Sequence, residues 1–107
     1  MYDFSPEMPR SFRFYQNLST TGAVAVTAFE INSDLFVAFA NNLDGSGKMA
    51  NNSPIYFLHN GTFNLSQSLS TLGAQFVEHF VIDRKHFLAF GIRDATATST
   101  MNIHIYR

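Results

Sequence analysis

The side chains in this sequence most able to do chemistry are four histidines: His59, His79, His86 and His104. Imidazoles bind metals and transfer protons, but a metal site needs three or four ligands converging from a recognisable spacing. These four share no such spacing, and the chain has no cysteine to add a thiolate ligand, a nucleophile or a disulfide. Glu78, next to His79, could face a cation. Hydrogen-bonded or surface roles remain the expectation, so we predict no catalytic residue, metal ligand or cofactor.

Two polar loops are the next candidates for a site. Residues 41–52 hold Asp44 and several amides, which is fewer carboxylates than a calcium loop uses. Residues 93–102 are rich in Ser and Thr. Phosphate-binding glycine loops, dinucleotide motifs and nucleophile elbows have no match in the sequence. Loops of such different chemistry suit one rim of a binding scaffold.

A long internal repeat sets the organisation of the chain. Residues 12–41 and 63–92 align without a gap and are identical at 13 of 30 positions, where chance gives roughly two. After a variable loop, Ile55-Tyr56 aligns with Ile105-Tyr106 at a shift one residue shorter. The anchors that recur are Gln16 with Gln67, Gly22 with Gly73, Phe29 with Phe80, and Phe36 with Phe87.

Apolar residues alternate within each repeat with a period of two, which predicts strands. We expect strands at 12–18, 24–31, 35–41, 54–58, 63–69, 75–82, 86–92 and 103–107. Asn32-Ser33-Asp34 and Asp83-Arg84-Lys85 are expected to form hairpin turns, and Asn60-Gly61 favours a type I′ turn. The predicted fold is all-β, with antiparallel four-stranded units of about fifty residues, as in β-propeller blades.

The expected domains are an N-terminal extension at 1–11, an outer strand plus first blade at 12–69, and a second blade at 70–107. A blade cannot bury both of its faces by itself, so blades must stack on others. The strand at 12–18 would match a missing outer strand of the second blade. The chain is therefore expected to be part of a longer propeller or a head-to-tail oligomer closed by strand exchange.

Composition excludes further classes of function. Among 107 residues, 46% are hydrophobic, 12 are Phe and the net charge is −1. A packed domain is expected, and so small a charge with scattered signs argues against nucleic acid as a partner. No apolar run approaches the roughly 20 residues of a membrane helix, so membrane insertion is not predicted. The first ten residues, with two acids and two prolines, are not typical of a signal peptide.

The pattern F-x-x-x-Q-x-L-S-T-x-G-A, followed by V-E-H-F-x-I, H-F-L-A and S-P-I-Y, resembles the EAR repeat, also called the epitempin or EPTP repeat. The resemblance implies a segment of a seven-bladed propeller. Family members are secreted proteins or cell-surface receptors, so it also implies an extracellular location and recognition of a protein ectodomain. Two positions depart from the pattern: Thr27-Ala28 replaces Glu78-His79, and Gly91-Ile92 replaces the Ala-Asn ending of the first copy.

The repeated anchors have structural explanations. Gln16 and Gln67 each lie on the same face of their strand as core residues. Their side-chain amides are therefore expected between blades, bonded to backbone groups. Gly22 and Gly73 are expected to allow close backbone approach where an outer strand leads into the next inner strand. Glycosylation is possible at Asn60, Asn64 and Asn17, each the start of an N-x-S/T triplet, and weaker at Asn51 because Pro54 follows.

Three classes of function follow from these observations. The favoured one is a non-enzymatic extracellular protein-recognition module that binds a receptor or adhesion partner. The alternative is a carbohydrate-binding propeller module, suggested by the polar loops and the tyrosines. An enzyme would need converging ionisable groups, and the sequence does not supply them.

Overall fold

A computed structural model describes residues 12–43, 46–48, 52–93 and 101–107 as seven strands in two antiparallel sheets. In the first sheet the order is β1 (Ala23–Ile31), β2 (Asp34–Asn41), β3 (Asn52–His59) and β4 (Thr62–Ser70). In the second it is β5 (Ala74–Ile82), β6 (Lys85–Arg93) and β7 (Met101–Tyr106). We call these sheets unit 1 and unit 2. The all-β prediction is confirmed, and each strand lies within two residues of its predicted position.

Three two-residue turns join neighbouring strands. Asn32-Ser33, Asn60-Gly61 and Asp83-Arg84 all have positive φ at both central residues, between 52° and 77°. This is the type I′ pattern, whose twist matches that of the flanking strands. The hairpin predictions are therefore confirmed, and the tight turns fix the register of β1–β2, β3–β4 and β5–β6.

The predicted strand at 12–18 is not formed: residues 12–20 carry no strand assignment. Its repeat counterpart, β4, pairs along its whole length with β3. Among the described residues no strand lies beside 12–18 to play the part of β3. A strand needs a hydrogen-bonded neighbour as well as an alternating sequence, so this segment keeps the sequence without the ladder.

One hydrophobic core lies between the two sheets. Unit 1 contributes Phe29 and Ala38, and unit 2 contributes Val77, Leu88 and Phe90. All of these are at most 9% exposed. Val26 of unit 1 is the repeat equivalent of Val77 but lies on the outer face, where it is 56% exposed. The same repeat position is therefore buried or open according to whether another sheet covers it.

One departure from the repeat pattern has a packing explanation. Phe76 lies opposite Gly91, and the equivalent pair in unit 1 is Ala25 opposite Ala40. A Cβ at Gly91 would come within 2.1 Å of the Phe76 ring. The larger side chain on β5 thus requires the smaller one on β6, so Gly91 replaces alanine to make room for the ring.

Gly22 and Gly73 occupy equivalent positions just before the first strand of each unit. Their φ angles are 65° and 63°, in the left-handed region that glycine adopts most readily. At Gly22 a Cβ would lie 1.5 Å from the carbonyl oxygen of Leu43, and the Gly22 carbonyl accepts a 2.9 Å bond from the Asn42 N–H. The predicted close backbone approach is therefore present at Gly22.

We expect Gly22→Ala to destabilise the chain more than Gly47→Ala. Both glycines have positive φ, but nothing lies within 4 Å of a Cβ at Gly47. The left-handed backbone costs either alanine about 1–2 kcal/mol, and the clash with Leu43 should cost Gly22→Ala at least about 1 kcal/mol more. Urea unfolding of the two variants measures the difference. Equal losses would show that the contact with Leu43 relaxes without cost.

Candidate functional site

A cleft of about 270 Å³ lies between the two sheets. Unit 1 lines it with Phe29, Phe36 and Gln67, and unit 2 lines it with His79 and His86, among other residues. The walls are mostly apolar and aromatic, with the imidazoles and an amide as the polar groups. Such a lining suits packing or the binding of a small apolar group.

Two histidines of unit 2 form a pair at the wall of this cleft. His79 Nε2 lies 2.9 Å from His86 Nδ1, so one ring donates a hydrogen bond to the other. The His79 ring also stacks on Phe29 of unit 1, with 4.3 Å between centroids and 10° between planes. Phe29 stacks in turn on Phe36 at 5.6 Å. The imidazole pair thus continues an aromatic stack that crosses from one unit to the other.

The surroundings of His79 disfavour its charged form. Burial lowers the pKa of His79 below its ordinary value, and a charge on nearby His86 would lower it further. His79 is therefore held as a neutral ring that packs and accepts or donates one hydrogen bond.

The described residues do not assemble a metal centre: no three His, Cys, Asp or Glu side chains come together there. Glu78 is exposed. It alternates with His79 along β5, so the two side chains point to opposite faces of the sheet. His59 and His104 are both exposed and lie on other strands.

Two tyrosines make the same long-range tie in the two units. Tyr56 Oη donates a 2.5 Å bond to the carbonyl of Ser19, and Tyr106 Oη donates a 2.5 Å bond to the carbonyl of Ser70. Each ring also packs edge-on against a phenylalanine of the neighbouring strand, Phe39 in unit 1 and Phe90 in unit 2. The third strand of each unit therefore holds the chain segment that leads into that unit.

The side-chain amide of Gln16 binds both backbone groups of one residue. Gln16 Nε2 donates to the Phe63 carbonyl at 3.0 Å, and the Phe63 N–H donates to Gln16 Oε1 at 2.9 Å. Phe63 lies on β4, and among the described residues no strand pairs with the far side of β4. The amide thus acts as a one-residue substitute for a neighbouring strand. Tyr15 adds a hydroxyl bond to the carbonyl of Gly61 nearby.

Gln67 does not repeat this contact, and the prediction of a buried amide there is wrong. Its side chain is exposed and lies along the cleft. Gln16 binds the backbone of Phe63, but no described residue lies in the equivalent position next to Gln67. The interaction requires an outer strand in the following unit, and the described part of the chain contains that strand only for unit 1.

The aromatic anchors of the two units have different surroundings. Phe80 and Phe87 stack at 5.3 Å, as Phe29 and Phe36 do, but Phe80 is only partly buried, whereas Phe29 is buried. They lie on the face of unit 2 that points away from unit 1. The repeated stack is therefore covered by a second sheet in unit 1 and open in unit 2.

The three predicted sequons are accessible, since Asn17, Asn60 and Asn64 are all exposed. Asn60 lies at the tip of the β3–β4 hairpin as expected. Asn51 and Asp44 lie outside the described residues, as do the extension at 1–11 and most of the loop at 93–102.

Sequence reasoning missed the tyrosine ties and the histidine pair. The recurrence of Tyr56 and Tyr106 at matching positions was a usable signal for the ties, because a hydroxyl retained in both units needs a partner in both. The histidine pair had no such signal, since Ala28 and Leu35 stand at the equivalent positions in unit 1.

We expect Gln16→Leu to lower the free energy of unfolding by about 1 kcal/mol or more, because the N–H and carbonyl of Phe63 lose their partner. Gln67→Leu is the matched control and should change it by less than about 0.5 kcal/mol in dilute solution. Urea denaturation at low protein concentration gives both values. An equal loss in the two variants would contradict the assignment.

Stability is expected to fall as the solution is acidified. The unfolded chain binds a proton at His79 more readily than the folded one, so folding is favoured most where both states are neutral. This contribution is fully present above about pH 6.5 and is lost as the pH falls through the lowered pKa of His79.

Melting temperatures at about pH 7.5 and pH 5.5 test this expectation. The melting temperature of the parent chain should fall more between the two pH values than that of His79→Gln. His59→Gln, which changes an exposed histidine, should behave like the parent. A parent and a His79→Gln variant with the same pH dependence would contradict the prediction.

No helix among the described residues is long and apolar enough to cross a membrane. Comparison with curated proteins found no match, and comparison with solved structures found none either. A family model does match: the EPTP domain, over residues 11–56 and 62–94. The matched ranges cover most of the chain and begin where the two sequence repeats begin, so the second range contains β4 of unit 1 as well as β5 and β6 of unit 2. The chain therefore belongs to the EPTP family, and its two sheets are blades of a partial β-propeller.

Proposed function

We propose that this chain is a non-enzymatic extracellular recognition module whose EPTP blades bind the ectodomain of a receptor or adhesion protein. The observation that carries the proposal is the contrast between a constant scaffold and variable loops. The aromatic stacks, tyrosine ties and hairpin turns recur in both units. The connections from β2 to β3 and from β6 to β7 differ completely in sequence.

These two connections fall at the same end of their sheets. Each follows the second strand of its unit and leads to the third, at the end opposite the tight turns at 32–33 and 83–84. Since the two sheets pack together and Asn42 binds the Ala74 carbonyl, the ends of β2 and β6 from which these connections leave lie at the same rim. Loops on a rigid scaffold are where binding residues concentrate.

The base of the first connection is fixed and its tip is accessible. Asn42 Nδ2 donates a 3.2 Å bond to the Ala74 carbonyl of unit 2, and the Asn41 N–H and amide bind Ser53 and Asn52. Leu43 is 43% exposed, and residues 46–48 are exposed. A rigidly held base with accessible apolar and charged side chains suits recognition of a protein surface.

Location outside the cell is part of the proposal and is supported by accessible sequons at Asn17, Asn60 and Asn64. The carbohydrate-binding alternative loses the support of two tyrosines, while Tyr15 remains 68% exposed. Tyr56 and Tyr106 use their hydroxyls and rings within the scaffold, so they are not available to stack on a sugar.

Parallel screens of the immobilised chain against receptor and adhesion ectodomains and against a glycan array test the proposal. We expect an ectodomain to bind, and Leu43→Ser to weaken that binding at least about tenfold with the melting temperature unchanged. Lys85→Ala, at the opposite end of unit 2, is the control and should bind like the parent. Glycan binding without any ectodomain binding would contradict the proposal.

A further inference from the structure

We propose that a second copy of this chain docks head-to-tail on unit 2, with its residues 12–19 added as a fourth strand beside β7. This assembly goes beyond the proposed recognition of an ectodomain and does not depend on it. Four features of the described residues carry it: a segment held in place without a ladder, a strand edge of matching sequence, two matching apolar faces and an unused amide.

Residues 12–19 are held against unit 1 although they pair with no strand. Tyr56 binds the carbonyl of Ser19, Gln16 binds the backbone of Phe63, and Tyr15 binds the carbonyl of Gly61. The remaining aromatic side chains project into solvent: Phe12 is 104% exposed and Phe14 is 84% exposed. The segment is therefore positioned in advance, with its apolar side chains unused.

The edge of β7 is the natural acceptor for this segment. β7 is the repeat of β3, and within the described part of the chain no strand pairs with its outer side. β3 pairs with β4, and the sequence of residues 12–18 repeats that of β4. Transferring that register places Gln16 opposite Ile105 and Phe14 opposite Tyr106, because Gln67 lies opposite Ile55 and Leu65 opposite Tyr56.

The faces of the two units match in the same direction. Unit 2 turns its Val77 face to unit 1, whereas the equivalent face of unit 1, with Val24 57% and Val26 56% exposed, is open. Unit 1 turns its Phe29–Phe36 stack to unit 2, whereas the equivalent Phe80–Phe87 face of unit 2 is half-exposed. Within the chain, the Val77 face of unit 2 covers the Phe29–Phe36 stack of unit 1. Between copies, the open Val24–Val26 face of unit 1 would cover the Phe80–Phe87 stack of unit 2 in the same way.

Gln67 supplies a further contact that the same repeat predicts for the added strand. By the repeat, its amide should bind both backbone groups of the residue equivalent to Phe63 in the added strand. That residue is Phe12, one position beyond Arg13, which the ladder alignment places opposite Arg107. The same alignment therefore places residues 12–19 of the second copy beside β7 and within reach of the Gln67 amide. A contact of this kind is heterologous, so successive copies form a ring or an open chain.

Two single-cysteine variants test the register, since the natural chain has no cysteine. Pro54 lies opposite Ser68, so residue 104 of one copy should lie opposite residue 17 of the next. Asn17→Cys and His104→Cys chains mixed under mild oxidation should give a mixed disulfide as the main cross-linked species. Arg13→Cys is the control: it lies three residue pairs from position 104, about 10 Å along the ladder, which is too far for a disulfide.

Light scattering coupled to size exclusion gives the second measurement. The mass of the parent chain should rise with concentration, and Gln67→Leu should raise the apparent Kd of association about fivefold. The proposal is overturned by a parent chain that stays monomeric, or by association without the 17–104 disulfide. An equal yield of mixed disulfide from Arg13→Cys would also overturn it, because the strand would then have no fixed register.

Discussion

Each sheet of this chain has apolar side chains on both of its faces, and that constraint governs the rest of the structure. A strand alternates its side chains between two faces, so a sheet with Phe29 on one side and Val26 on the other cannot bury both by itself. Packing unit 2 on unit 1 covers one face of each. The core, the cleft and the open outer faces all follow from this arrangement.

Apolar packing does not fix how two sheets are aligned, because the hydrophobic effect has little directionality. Directional groups provide the alignment here. Between the sheets, the Tyr106 hydroxyl binds the Ser70 carbonyl and the Asn42 amide binds the Ala74 carbonyl. Tyr56 and Gln16 bind residues 12–19 to unit 1 in the same way. These bonds use backbone groups that the ladders leave unpaired, so alignment is gained without burying a charge.

Features that depend on neighbours in sequence were predictable, and features that depend on other strands were less so. Alternation and turn residues predicted the seven strands and the three hairpins, with type I′ geometry at Asn60-Gly61, since both are local properties. Residues 12–18 have the same local pattern but lack a ladder partner, and Gln67 has the same identity as Gln16 but lacks a receiving strand. The stack of His79 on Phe29 required knowledge of which faces meet, and one repeat does not contain that information.

The differences between the two repeats bear on how strongly copies would associate. Within the chain, the Phe29–Phe36 stack meets His79 and His86, and the rings continue from one unit to the next. Between copies, the Phe80–Phe87 stack would meet Ala28 and Leu35, the residues of unit 1 that stand at those positions. An alanine offers no ring to stack on, so the contact between copies loses an aromatic pair worth roughly 0.5–1.5 kcal/mol. It also lacks the His79–His86 pair, so the acid sensitivity that this pair gives the interface within the chain is not shared by the interface between copies.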